Sequence, residues 1–419
     1  MADASAMQRL PPLRTIERAL RHVTERLPLE LSIPAPPPPP WSELEWGLAP
    51  AVAAMHGVSA LLAAAPLFDR PREWGGFLAH QGAMTTARHL RIAALLDGLN
   101  EHARREGVAL MPLKGAALCA LGLYAPGERP MADLDLLVSS NELDAATHLL
   151  TALGYRDVGT TWKHRAFEPM RGGGARAALG EHVDNPIKID LHVRIAERLP
   201  LAEHELTDLV RPARHEPGLN AYPSLGALML HVLAHTAGSM VHRGVRLIQL
   251  EDIARLAQRM SGADWETILF AHGASRRLWW AAAPLLLTGR YRPLAVPAAV
   301  LGRLTRECPQ LLRTVARRRA LTDFSYSHAR IDPAPGIVWV RSGRELWKYV
   351  ESRVRPSSQQ LAQIDLLSRT GPWSAAPEWY GQSQRRRIWR WLTTRPTRIE
   401  AMEPVKAALG RQLRAGRGT

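Results

Sequence analysis

The run Asp133-Leu134-Asp135-Leu136-Leu137-Val138 constrains this chain more than any other stretch. Successive side chains of a β-strand face opposite ways, so Asp133 and Asp135 share one face while Leu134, Leu136 and Val138 share the other. Such a strand must cover its apolar face with a core. Its two carboxylates repel unless protons or cations neutralise them, and hard oxygen ligands at this spacing suit Mg²⁺ or Mn²⁺. A second strand of the same kind, KIDLHV, sets Lys188, Asp190 and His192 against Ile189, Leu191 and Val193. Pairing the two would gather Asp133, Asp135 and Asp190 around two metal positions, the arrangement used in two-metal phosphoryl transfer. An isolated Asp-x-Asp also fits an ordinary half-solvated strand, so the neighbouring residues matter.

Upstream, VALMPL reads as a strand that exits through Lys114-Gly115 into a helix over 115–123. A glycine there lets phosphates approach backbone amides at a helix N-terminus. Arg129, just before Pro130, has the fork geometry for bidentate phosphate binding. Downstream, Asn141 is the expected cap of a helix from Glu142 to Leu153 that stops at Gly154, and Tyr155 to Val158 begins another strand. The glycines at 172–174 read as a turn. The fold class expected is α+β: a mixed β-sheet core with helices, followed by a mainly helical domain.

These residues carry a family resemblance. LKGAAL, then LY, then RPMADLDLLV, then a helix ending LGY, then IDLHV resembles the bacterial family of uncharacterised nucleotidyltransferases, within the DNA polymerase beta-type nucleotidyltransferase superfamily. A more distant likeness is to the abortive-infection nucleotidyltransferase toxins. The likeness covers about residues 85 to 290 and is strongest from Leu113 to Tyr155. Many superfamily members have Gly-Ser before the first helix, where this chain has Lys114-Gly115. The resemblance implies transfer of a nucleoside monophosphate from ATP or another NTP to a hydroxyl, with pyrophosphate released. It implies that Asp133 and Asp135 bind both metals and that Asp190 serves the acceptor-side metal. Lys114, Gly115 and Arg129 would hold the triphosphate.

The remaining chain is read more coarsely. Residues 1–40 form an N-terminal segment whose basic amphipathic stretch, Thr15 to Leu27, precedes a polyproline spacer at Pro36 to Pro40. Residues 41–106 are a helical region stopped by Gly107, 107–200 the catalytic core, 201–290 a helical cap, and 291–419 a mostly helical basic region. In the cap, His231 and His235 lie four residues apart on one helix face, and Asp252 sits on the next helix. No glutamate adjoins His231 as in a zinc-protease helix, so His231 and His235 read as core or acceptor-side histidines, and His192 and Asp252 are further acceptor-side candidates. Trp279-Trp280 reads as core or interface.

The formal charge of +15 favours an anionic partner. Five of the basic residues are lysines, and Lys114 and Lys188 fall inside the motifs. In the tail, Arg385, Arg386, Arg387, Arg390 and Arg395 interleave with Trp389 and Trp391, which suits nucleic acid or an anionic membrane surface, or an amphipathic helix packed on the domain. Cys119 and Cys308 offer no disulfide framework or zinc spacing. The charged N-terminus is no signal peptide, and no run approaches the roughly 18 apolar residues of a membrane span. A soluble cytoplasmic protein is expected. The acceptor stays open between a small molecule, a peptide or protein, and RNA. The alternatives are a catalytically degenerate nucleic-acid-binding protein and a toxin-type nucleotidyltransferase acting on tRNA or a protein.

Overall fold

The computed structural model describes residues 11–32, 37–65, 70–171, 179–270, 278–357, 382–394, 397–399 and 402–415, with side chains to residue 410. The glycines at 172–174 and Arg395 lie outside the described residues, as does Pro36. Helices α1 (Leu13–Glu30), α2 (Glu43–His56), α3 (Ser59–Ala64) and α4 (Arg72–Glu106) come first. The core follows: β1 (Ala109–Pro112), α5 (Lys114–Ala120), β2 (Asp133–Val138), α6 (Leu143–Ala152), β3 (Tyr155–Thr160), β4 (His164–Pro169) and β5 (Lys188–His192). Then come a hairpin of β6 (Ala196–Arg198) and β7 (Glu203–Glu205), a short α7 (Thr207–Val210) and β8 (Gly218–Leu219). Helices α8 (Leu225–Val241), α9 (Leu247–Arg259), α10 (Gly262–Phe270) and α11 (Ala282–Tyr291) form the cap. Beyond them lie α12 (Ala298–Glu307), α13 (Gln310–Arg318), α14 (Leu321–Phe324), α15 (Gly343–Val354), α16 (Gln384–Thr394) and α17 (Glu403–Ala415).

The main sheet runs β3-β4-β5-β2-β1-β8. Its two central strands, β2 and β5, are parallel, β1 and β8 are parallel, and the other pairs are antiparallel. This is the mixed α+β architecture expected. One face is apolar as the alternation requires: Leu134, Leu136, Val138, Ile189, Leu191 and Phe167 are buried with Ile92 and Leu99 of α4 and Leu149 and Leu150 of α6. A larger helical core joins α1 and α2 to the cap and to the C-terminal helices. The stretch from Thr15 therefore docks on the body, with Leu20, Val23 and Leu27 fully buried. Trp279 and Trp280 are core.

One local expectation is corrected. Asn141 does not cap a helix: Ser140–Glu142 close a 3₁₀ turn first, and the Glu142 carboxylate accepts the Ala109 backbone N–H at 3.1 Å, tying the turn to β1. Past Pro200 the mainly helical region also contains β7, which pairs with β6, and β8, which extends the main sheet beside β1. The tail divides its tryptophans, with Trp391 donating to the Ile331 carbonyl at 3.3 Å while Trp389 stays exposed. Among the described residues no helix is long and apolar enough to cross a membrane.

One buried arginine of α4 fixes the edge of the sheet where the carboxylates begin. Arg88 donates to the carbonyls of Met131 and Ala132 at 3.1 Å each, just before β2, and to those of Asn185 and Pro186, just before β5. A guanidinium has the donors for such a set, and an unpaired one would be costly at this depth. The 125–128 turn packs on the same helix. Gly127 adopts φ +85, and a Cβ there would lie 2.2 Å from Thr86 Oγ1 and 2.7 Å from Thr86 Cα. Because Arg88 holds α4 against both strands, the helix cannot retreat. Gly127→Ala is expected to destabilise the protein by at least about 2 kcal/mol, read as a lower urea midpoint at unchanged slope; an unchanged midpoint would show that the turn yields.

Candidate active site

The pairing of β2 with β5 builds the site. Asp135 stands opposite Asp190 and Asp133 opposite Lys188 in register, so three carboxylates share the polar face of two adjacent strands. Across β5, β4 sets His164 opposite His192 and Ala166 opposite Asp190. The rings of His164 and His192 lie 5.1 Å apart, edge to face.

The carboxylates differ in their surroundings. Asp135 is buried, and its Oδ1 accepts from Lys114 Nζ at 3.0 Å and meets His192 Nε2 at 2.8 Å. Burial works to raise its carboxyl, but the Lys114 charge and the His192 hydrogen bond prevail and hold it well below the usual range. Among the described residues its Oδ2 has no protein partner. Asp133 opens the strand on the exposed side, and among those residues it makes no hydrogen bond or ion pair. Desolvation and then the charge of Asp135 raise its carboxyl. At Asp190, burial followed by the charges of Asp133 and Asp135 pushes the carboxyl up to about 8, with His164 Nε2 at 3.5 Å. That histidine is held neutral, down to about 3, by burial and by His192.

The same cluster tests the metal expectation. Among the described residues no three His, Cys, Asp or Glu side chains converge as a ready-made metal cage. Mg²⁺, however, is commonly held by one or two carboxylates with substrate phosphates and water completing its shell. The donor set fits that case: among the described residues Asp133 has no protein partner and Asp135 keeps one oxygen free, while Asp190 is held protonated by burial and by the charges of those two carboxylates, which a cation would offset. Asp133 and Asp135 would hold the ion, with Asp190 alongside.

Lys114 has φ +45, a region that side chains other than glycine rarely enter and that clusters at functional sites. The turn therefore takes a glycine-like conformation with a lysine in it, and its ammonium reaches Asp135 of β2. Tyr222 stands beside the Lys114 backbone, and its hydroxyl meets His231 Nδ1 at 2.7 Å. His231 is buried and, by that burial, held well below its usual pKa, so its neutral ring accepts from the tyrosine. Its place is thus structural support for the turn.

Arg129 is engaged as well. It forms a two-point ion pair with Asp252, Nε to Oδ1 at 2.8 Å and Nη2 to Oδ2 at 2.7 Å, while the Tyr124 hydroxyl donates to Oδ1 at 2.7 Å. Its Nη1 lies 2.3 Å from where a Cβ on Gly115 would stand, so the glycine makes room for the guanidinium. The structure thus puts Arg129 against the Lys114-Gly115 turn and Asp252 behind it, both saturated by each other. His235 faces a different partner, Glu197, at 3.8 Å.

Sequence reading missed Arg88, His164, Tyr222, Lys163 and Glu197. His164 lies on β4, but HRAFEP has no clean polar–apolar alternation that would mark its face. Arg88 and Glu197 act through partners far away in the chain, which spacing does not report.

Residues 42–286 match the model of the family described as "Uncharacterised nucleotidyltransferase", which extends the likeness through α2, α3 and all of α4. Searches of curated proteins and of solved structures find no match. The matched span is more than half of the chain and includes the carboxylate strands, the Lys114-Gly115 turn and the histidine helix: this protein belongs to the uncharacterised nucleotidyltransferase family.

Proposed function

We propose that the protein transfers a nucleoside monophosphate from an NTP to a hydroxyl-bearing acceptor in a metal-dependent reaction that releases pyrophosphate. The observation that carries this reading is the pairing of a partnerless Asp133 with a half-engaged Asp135 on one strand face, next to a lysine on a strained turn. Magnesium or manganese, when bound, would offset the triphosphate charge and polarise the reacting oxygens. Asp133 and Asp135 would hold that ion, and His192 keeps Asp135 oriented. Asp190, in register with Asp135, serves the acceptor side.

Lys114 is the phosphate contact best placed to act, since its ammonium can exchange its bond to Asp135 for a triphosphate oxygen. Arg129, held by Asp252, supports the turn from behind. The reaction belongs in the cytoplasm, in keeping with two free cysteines far apart in the chain. A second reading, a protein that binds nucleic acid without chemistry, draws on the Lys114 ion pair that already neutralises Asp135.

The test uses NTPs labelled at the α-phosphate, with Mg²⁺ or Mn²⁺, and total RNA, a peptide mixture or small alcohols as acceptors. Label transfer should need the metal and fall at least about a hundredfold in Asp135→Asn. Full turnover in that variant would sink the reading. Steeply salt-dependent RNA binding without turnover in either metal would establish the second.

A further inference from the structure

Of the fifteen large apolar side chains that stay exposed among the described residues, six lie on α15 and α16, outside the family span. Such a concentration marks an interaction surface, where single exposed residues would not. Helix α15 starts where the Ser342 hydroxyl accepts the Glu345 backbone N–H at 3.2 Å. Tyr349 is its one buried residue, and the tyrosine hydroxyl accepts the Gly336 N–H at 2.9 Å. With so little of the helix turned inward, the rest is open to a partner.

Residues three and four apart share a helix face, so Leu346, Trp347, Val350 and Val354 form one apolar stripe. All four are exposed, Trp347 at 71%. Arg344, Lys348 and Arg355 run along one border of the stripe, with Glu351 the acidic residue among them. Among the described residues none of these three cations has an ion pair. Helix α16 begins against the last turn of α15, where Gln384 Nε2 donates to the Arg353 carbonyl at 2.6 Å. Trp391 is turned to the body through its bond to Ile331, whereas Trp389 and Leu392, three residues apart, are 69% and 60% exposed. Arg385, one turn before Trp389, and its neighbour Arg386 are exposed and likewise have no ion pair among the described residues.

This mixture selects among partners. A nucleic acid offers phosphates to the arginines and bases to the tryptophans, but nothing to Leu346, Val350, Val354 and Leu392. A second copy of the chain, meeting the first through the same patch, would bring like charges together. A bilayer interface takes all three kinds of residue at once. Aliphatic side chains enter the acyl boundary, tryptophan sits at headgroup level, and lysine and arginine meet anionic headgroups.

We propose that α15 and α16 seat the protein on an anionic lipid surface. The helices lie in the interface and do not cross it, in keeping with the 12 residues of α15 and its charged border. The inference is independent of the nucleotidyl-transfer reading.

The full chain is mixed with vesicles of phosphatidylcholine, with and without phosphatidylserine, and bound protein is separated by flotation. Binding should be at least about tenfold tighter with phosphatidylserine and should weaken as salt is raised. Lipids brominated near the headgroup should quench part of the tryptophan emission, and that part should vanish in Trp347→Phe/Trp389→Phe. Trp347→Ser/Leu392→Ser should loosen binding at least about tenfold, and Arg344→Gln/Lys348→Gln/Arg355→Gln should remove the preference for phosphatidylserine. Equal binding to both vesicles overturns the proposal. Quenching in the parent chain needs no variant, and its absence alone also overturns it. So would vesicles left unbound while the same variants abolish binding to single-stranded RNA, or self-association in sedimentation velocity.

Discussion

The structure depends on a buried carboxylate. Asp135 lies in the middle of the sheet, where an ionised group is costly unless charge and hydrogen bonds surround it. Lys114 and His192 supply both, and they come from different elements. One bond ties the β1–α5 turn to β2; the other ties β5 to β2. Stabilising that one charge therefore assembles the polar face, and among the described residues it leaves the second oxygen of Asp135 and all of Asp133 without a protein partner.

Around this centre the helices act as a frame rather than as a second set of reactive groups. Arg88 of α4 clamps the backbone leading into β2 and β5, so the two carboxylate strands enter the sheet together. From α8, His231 holds Tyr222 beside the Lys114 turn. From α9, Asp252 holds Arg129 against Gly115, where the absence of a side chain is what admits the guanidinium. The family match covers these elements together, and that is consistent with a site that needs its cap to keep a strained turn in place. His235 of the same helix as His231 is half-buried, with its ring 3.8 Å from the buried Glu197.

Much of this was legible in the sequence where period-2 alternation decides the outcome. The two Asp-bearing strands and the side of the sheet they face follow from DLDLLV and KIDLHV, and the strand-to-helix turn follows from Lys114-Gly115. What alternation cannot give is the partner of a strand. That β2 and β5 pair in parallel, with Asp135 beside Asp190, depends on a connection containing α6, β3 and β4. The strand β8 escaped because two residues carry no period. Arg129 illustrates a deeper limit: its chemistry suits phosphate, and only the fold reveals a carboxylate from 123 residues away already bound to it. Glu197 lay hidden for the same reason, since its partners come from the β3–β4 connection and from α8.

The central claim is that the Asp133 and Asp135 face binds a nucleoside triphosphate through a divalent cation. It is tested most directly by isothermal titration of ATP, GTP, CTP and UTP, with Mg²⁺, with Mn²⁺ and with neither, on the parent chain and an Asp133→Ala/Asp135→Ala variant. The account predicts binding of at least one NTP that needs the cation and disappears in the variant. Binding that persists without the cation or without the two carboxylates would contradict it, as would the absence of binding to all four.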